Sequence, residues 1–338
     1  MKRKQLLIAL AIAFQIGVVA SLAISREWIL ENGTPYMFQT APVDPRDIFR
    51  GDYVRLDYLF SRMPVEQLEE AITENGLRKG QKVYLSLKRD RNGIARGGRL
   101  YASPPENGPY LMGRSRHHWP FRNFFKMSPE QRKGFNIRPV SVKYGIEQYY
   151  IEQGSGRAIE EMRGGRNDFQ LPMLIHVRVS GAGEAVIHSY EWADIAAKTE
   201  VVRSAGRDAP DDQAGAEVRF TLKNRANHPI TLPLKPGNCS FVLIGVREAP
   251  EGATAFVGER SECAGAKALP VTLDPGEEYP ISFDLNRPIW RVPYNDKLTP
   301  PGRLPWDYRY RITYQGETTA NIKGRILSRA FHGRGSID

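Results

Sequence analysis

The segment Pro42–Tyr58 concentrates the side chains best suited to chemistry. It holds four carboxylates and three arginines within 14 residues, namely Asp44, Asp47, Asp52, Asp57, Arg46, Arg50 and Arg55. Carboxylate oxygens are ligands for a hard cation, guanidinium groups bind anions bidentately, and paired carboxylates perform acid–base catalysis. The acids lack the short regular spacing of a calcium loop.

The same segment has a structural interpretation that needs no ligand. Gly51 suits a turn that enters a strand, and Asp52 is placed to accept backbone N–H bonds there. Residues 53–60 then alternate, so that Val54, Leu56 and Tyr58 share the face that points into a core. Tyr53, Arg55 and Asp57 point the other way.

This stretch carries a family resemblance. Gly51-Asp52-Tyr53 followed by Leu56 and Tyr58 is similar to the signature of the GDYXXLXY proteins, a bacterial membrane-anchored family. Asp44, Arg46 and Asp47 before it, and residues 144–150 with Gly156 and Ile159 after it, also fit the family's pattern. The resemblance covers about residues 1–195 and implies that the protein is anchored in a membrane. It does not imply any catalytic activity.

The N-terminus reads as a membrane anchor. Residues 2–4 are basic, and residues 6–24 form an apolar run of the length that crosses a bilayer. The positive-inside rule keeps the basic flank in the cytoplasm and places the bulk of the chain on the outer, periplasmic side of a bacterial inner membrane. A cleaved signal peptide, with small residues at Ser21 and Ala23, and a buried core helix are the alternatives.

The cysteines fit an oxidising compartment. Cys239 and Cys263 are the two cysteines of the chain. We expect them to form a disulfide, the alternative being two buried thiols. No spacing indicates a metal site, and no cofactor is expected.

A second distinctive stretch is basic and aromatic. Residues 114–138 hold seven basic residues, one acid and five large aromatic residues. This composition suits an anionic membrane surface, an acidic protein or a polyanionic glycan; the alternative is a loop whose aromatic rings pack on the fold. The candidate contact residues are Arg114, Arg116, Trp119, Arg122, Phe124, Phe125 and Lys126.

The distribution of charge and the absence of certain motifs exclude several classes of protein. The net charge of +10 is spread along the 338 residues, which argues against a nucleic-acid-binding domain. The chain has neither a Gly-x-Ser-x-Gly nucleophile elbow nor a phosphate-binding Gly-x-x-x-x-Gly-Lys loop. We therefore assign no catalytic residue.

The pattern of turns and short alternating segments predicts a mainly β protein. After the transmembrane helix we expect an antiparallel, barrel-like domain with short helices, and then an immunoglobulin-like sandwich of about seven strands, the last at 319–327. The predicted divisions are an anchor at 1–34, a first domain at 35–196, a linker at 197–216, a sandwich at 217–330 and a tail at 331–338.

We predict a non-enzymatic binding or accessory protein of the inner membrane, with another membrane or envelope protein as its partner. The alternative is an envelope hydrolase that uses carboxylates of segment 44–57. A hydrolase needs two carboxylates facing a cleft, about 5–10 Å apart, whereas a structural motif has Tyr58 buried.

Overall fold

The computed structural model of the chain describes residues 3–40, 53–63, 67–90, 93–119, 139–152, 156–165, 168–245, 263–294, 297–306, 308–316 and 322–337. The fold is mainly β, as predicted, and all pairings between its strands are antiparallel. Within these residues the α-helices are α1 (Arg3–Asn32), α2 (Glu70–Asn75) and α3 (Gly156–Arg163).

The strands fall into two groups along the chain. The first group is β1 (Thr34–Gln39), β2 (Tyr53–Arg55), β3 (Arg62–Met63), β4 (Lys82–Arg89), β5 (Ala95–Tyr101), β6 (Tyr110–Ser115), β7 (Val140–Lys143), β8 (Gln148–Tyr150), β9 (Met173–Val179) and β10 (Ala185–Trp192). The second is β11 (Ile195–Arg203), β12 (Glu217–Asn224), β13 (Ile230–Leu234), β14 (Phe241–Gly245), β15 (Leu269–Leu273), β16 (Glu278–Asp284), β17 (Val292–Tyr294), β18 (Lys297–Thr299) and β19 (Tyr310–Tyr314).

Helix α1 is long and apolar enough to cross a membrane, and its most apolar stretch is not buried against the rest of the chain. Its last turns pack on β9 and β10, where Ile29 is buried. Gly33 alone separates the helix from β1, and its N–H bonds to the Ile29 carbonyl at 2.8 Å. A Cβ at this position would lie 2.5 Å from that carbonyl oxygen, so only glycine fits here.

The first group of strands encloses one apolar core, which draws its buried residues from positions 36 to 179. Its sheets run β1-β9-β10 and β3-β7-β6-β4-β5, with β2-β8 as a separate pair. The described strands do not close into the predicted barrel. At one edge β3 is two residues long and pairs only with β7, and at the other edge β5 pairs only with β4.

The second group builds a separate core from residues 195–331. The sheet β11-β12-β16 contributes Phe220 and Phe283, whose rings meet Phe241 of β14 edge-on at 6.3 and 5.4 Å between centroids. Cys239 and Cys263 form the predicted disulfide, which is consistent with an extracytoplasmic domain. The likeness to an immunoglobulin domain stays a prediction.

The predicted strand boundaries need two changes. Residues 197–203, expected to begin a linker, continue β11 and pair with β12, because Ala197 and Thr199 point into the fold. The strand expected at 319–327 is absent from its described part, residues 322–327, which makes a single bridge at Leu327. The division into domains itself stays a prediction.

One segment of the second half reaches back to the first. The Gln39 side chain donates to the Arg325 carbonyl at 2.8 Å and accepts the Arg325 N–H at 2.6 Å. The Asp194 carboxylate accepts the Lys323 N–H at 2.7 Å, and the backbone N–H of Asp194 donates to the Lys323 carbonyl at 3.0 Å. The Lys323 ammonium then bonds Glu191 at 2.6 Å, and Glu191 also bonds His176 at 3.0 Å. Residues 323–325 therefore tie the two cores together.

Candidate functional site

The motif buries the side that its alternation predicts, but the strand is shorter than the alternating segment 53–60. Strand β2 ends at Arg55, and a 3₁₀ helix occupies Leu59–Ser61. Strand β2 pairs with β8, so that Tyr53 lies opposite Tyr150. Val54, Leu56 and Tyr58 are buried, while Arg55 is exposed. The apolar half of the motif is therefore part of the first core.

Tyr58 is a structural tyrosine. Its hydroxyl donates to the Ile146 carbonyl at 2.8 Å, and its ring stacks on Phe60 at 5.1 Å. Burial raises the pKa of Tyr58 well above its usual value, and the negative charges of Glu147 and Asp57 add to the effect. The phenol therefore stays neutral and acts as a hydrogen-bond donor.

Glu147 organises the second family segment. Its buried carboxylate accepts the N–H groups of Tyr144 and Gly145, at 2.5 and 3.1 Å, and its own carbonyl accepts the N–H of Leu56 at 2.9 Å. Gly145 has φ +83°, which favours glycine. This turn locks residues 144–147 against the motif strand.

Two further bonds complete the motif. The Tyr144 hydroxyl donates to the Phe60 carbonyl at 3.1 Å, and burial, followed by the charge of Glu147, raises the Tyr144 pKa. The Arg163 guanidinium, at the end of α3, donates to the Arg55 carbonyl at 3.0 Å. Every polar contact named here holds two segments of the fold together.

The predicted carboxylate site is only partly described. Asp44, Arg46, Asp47, Gly51 and Asp52 lie outside the described residues. Asp57 is the one described carboxylate of the segment, and it accepts the N–H of Tyr58 at 3.2 Å. No pair of carboxylates from this segment is therefore seen facing a cleft in the described part of the chain.

Three of the predicted contact residues of the basic and aromatic stretch are described, and Arg122, Phe124, Phe125 and Lys126 lie outside. Trp119 is 7% exposed and belongs to the first core. Its backbone exchanges two hydrogen bonds with Leu77, at 2.8 and 3.0 Å. Arg114 is exposed and Arg116 is half-buried. The ring of Trp119 therefore packs in the core, whereas Arg114 is accessible to a partner.

Arg114 belongs to a row of like charges that the sequence does not show. It lies directly opposite Lys82 of β4 on one side and Lys143 of β7 on the other. All three side chains are exposed, and none forms an ion pair with a described residue. Like charges at directly opposite positions of a sheet repel each other.

A cleft adjoins this row. Its volume is about 860 Å³, and it is lined by Asn75, Gly76, Leu77, Arg78, Lys79, Gly80, Gln81, His118 and Trp119. The Arg114 guanidinium bonds the Gly80 carbonyl at 3.2 Å, which joins the row to the cleft. We call Arg78, Lys79, Lys82, Arg114 and Lys143 the cationic face. Its chemistry suits carboxylate or phosphate groups.

Sequence reasoning found Arg114 and missed the rest of the face. Lys82 and Lys143 are separated by 61 positions, and only the strand register makes them neighbours of Arg114. Within the described residues, no group of three or more His, Cys, Asp or Glu side chains is placed to hold a metal ion.

The sequence of the chain matches one known protein family. A family model described as GDYXXLXY protein matches residues 15–189, which is more than half of the chain. Neither the curated proteins nor the solved structures contain a match. The matched range covers the motif strand, the Glu147 turn and the whole cationic face.

Proposed function

The chain belongs to the GDYXXLXY protein family, and we propose that it is a membrane-anchored accessory protein that binds an acidic partner protein through its cationic face. In this proposal residues 6–24 span the inner membrane, the N-terminus is cytoplasmic and both cores are periplasmic. The basic residues 2–4 support that orientation. The disulfide supports an oxidising compartment for the second core.

The row Lys82–Arg114–Lys143 carries the proposal. Like charges directly opposite each other on two strands destabilise the fold. Described carboxylates do not offset this cost, because none pairs with the three side chains. An acidic partner would remove the repulsion on binding, and it would gain charge-assisted hydrogen bonds.

The position of the face favours a protein over the headgroups of the protein's own bilayer. At the other end of β4, the Arg89 guanidinium bonds the carbonyl of Pro35, close to where α1 ends. Lys82 is seven residues away along the strand, which is about 23 Å. The face therefore lies at the end of the sheet away from the anchor. Because charges in physiological salt are screened over about 8 Å, this distance weakens the attraction between the face and lipid headgroups near the anchor.

The test is a cross-linked pull-down from solubilised membranes with the full chain carrying a C-terminal tag. Wild type is compared with the triple variant Lys82→Ser, Arg114→Ser, Lys143→Ser. The matched control removes three exposed cations of the second half, Arg219, Lys235 and Lys267, in the same way. Thermal unfolding verifies folding, and we expect the first triple variant to be no less stable than wild type.

We expect one acidic membrane or envelope protein to be recovered with wild type and with the control, and to be lost with the first triple variant. Recovery should also fall as salt is raised, because the contact is electrostatic. Equal recovery with both triple variants would disprove the proposed surface. In that event Asp52→Asn is assayed on envelope substrates, because loss of a hydrolytic activity would support the hydrolase alternative.

A further inference from the structure

A second cleft lies in the other half, outside the range that the family model matches. It has a volume of about 460 Å³ and lies between the segment after β11 and the C-terminal loop. Its lining is Ser204, Ala205, Arg207, Trp306, Arg334, Gly335 and Ser336. These residues supply two guanidinium groups, an indole and two hydroxyls, and none of them is acidic.

Arg334 is held in place by a tight loop. The His332 N–H bonds the Ser336 carbonyl at 2.7 Å, and the Arg334 N–H bonds His332 Nδ1 at 3.1 Å. Gly335 has φ +101°, and a Cβ there would lie 2.8 Å from Cγ1 of Val201. The Arg334 Nε also donates to the Gly302 carbonyl at 2.7 Å. The guanidinium is therefore positioned before any ligand arrives.

Trp306 lies in the segment before β19, and its ring contacts His332 of the Arg334 loop. Its indole is 58% exposed, and its ring centroid lies 4.6 Å from that of His332, which is fully buried. Burial lowers the pKa of His332, and so do the positive charges of Arg309 and Arg334, while the carbonyls of Leu304 and Pro305 act in the opposite direction. A neutral imidazole thus supports the indole.

The opposite wall carries Arg207. Its loop is fixed by Arg303, which donates to the Arg207 carbonyl at 3.3 Å and to the Asp211 carboxylate at 2.7 Å. Arg303 therefore offsets the charge of Asp211. The Arg207 guanidinium itself is exposed and has no ion pair with a described residue.

We propose that this cleft binds a phosphorylated saccharide. Two guanidinium groups bind a phosphate through charge-assisted, bidentate hydrogen bonds. The Arg309 guanidinium lies 5.2 Å from the centroid of the Trp306 ring. The rest of the indole, which is 58% exposed, offers an apolar surface to the sugar ring, and Ser204 and Ser336 offer hydroxyls to its polar rim. The volume falls within the range of about 300–1,000 Å³ of small-molecule sites. The proposal is independent of the cationic face.

The test is calorimetric titration of the full chain in detergent with glucose 6-phosphate, inorganic phosphate and glucose. The variants are Arg334→Gln, Arg207→Gln and Trp306→Ala. Arg219→Gln, which changes an exposed arginine of β12 away from the cleft, is the control. Thermal unfolding of each variant verifies that it folds.

We expect saturable binding of glucose 6-phosphate and none of glucose. Arg334→Gln and Arg207→Gln should each weaken binding about tenfold or more, because each removes a charge-assisted contact, and the control should bind as wild type does. Trp306→Ala should weaken the binding of glucose 6-phosphate and leave the binding of inorganic phosphate unchanged. Equal affinity for phosphate and sugar phosphate would mean an adventitious ion only. Either that result or the absence of binding would overturn the proposal.

Discussion

The hydroxyl of Tyr58 donates a hydrogen bond to the carbonyl of Ile146, 2.8 Å away and 88 positions along the chain. Both groups are buried in the first core. The bond joins the motif strand to the turn that Glu147 organises. It explains why a tyrosine ends the motif, since a phenylalanine would fill the same space and leave the carbonyl without a donor.

Tyr58→Phe should lower the free energy of unfolding by about 1–2 kcal/mol, because it leaves a buried carbonyl unpaired. Urea unfolding followed by far-UV circular dichroism measures the change. Tyr150→Phe is the control, since that side chain is 73% exposed, and it should change the stability by less than about 0.5 kcal/mol. Equal effects of the two substitutions would show that the Tyr58 hydrogen bond does not stabilise the fold.

Alkaline pH should destabilise the first core. The pKa values of Tyr58 and Tyr144 are raised in the folded state, above all by burial. Above the ordinary tyrosine pKa of about 10, the unfolded chain loses these protons and the folded chain keeps them. Stability is therefore fully present below about pH 10 and falls above it, by up to about 1.4 kcal/mol per pH unit for each tyrosine.

Urea unfolding between about pH 9 and pH 11 measures this slope. Tyr58→Phe should make it shallower by the contribution of one tyrosine, whereas Tyr150→Phe should leave it unchanged. An identical slope in wild type and Tyr58→Phe would mean that Tyr58 ionises in the folded state as it does in the unfolded chain.

Gln39→Ala should loosen the tie between the two cores. The substitution removes both hydrogen bonds to the backbone of Arg325, which should cost about 1–3 kcal/mol because the site is buried. Limited proteolysis should then cut the chain faster within 322–325. Gln148→Ala, at an exposed position of β8, is the control; the same cleavage rate in both variants would contradict this role of Gln39.

Reduction should destabilise the second core. The Cys239–Cys263 bond closes a loop with a sequence separation of 24, which corresponds to roughly 3.5 kcal/mol in the chain-entropy account. A reducing agent should lower the Tm of wild type and leave the Tm of the double variant Cys239→Ser, Cys263→Ser unchanged. A wild-type Tm that does not respond to reductant would show that the bond contributes no stability.

Local patterns were enough to predict the core side of the motif. The alternation of Val54, Leu56 and Tyr58 has the period of two that places one side of an extended segment in a core, and all three side chains are buried. The disulfide followed from the count of cysteines. The alternation depends on neighbours in the sequence and the disulfide prediction depends on composition, so a single sequence contains both.

The surfaces depend on pairing, which a single sequence does not contain. The row Lys82–Arg114–Lys143 exists because β6 pairs with both β4 and β7 in one particular register. The second cleft joins Ser204, Trp306 and Arg334, which come from three distant segments. Glu147 offered a weak local signal, a carboxylate two residues after Gly145, but its burial follows from the tertiary fold.

The single glycine between α1 and β1 has a mechanical consequence. Gly33 is too crowded to be replaced, and α1 also packs on β9 and β10. The helix is therefore joined rigidly to the sheet β1-β9-β10. In a membrane, a tilt of about 20° is ordinary for one helix. Such a tilt would displace a point about 23 Å from the helix end by about 8 Å. Because a mismatch between helix length and bilayer thickness can be accommodated by tilting, membranes of different thickness would hold the first core at different angles to their surface.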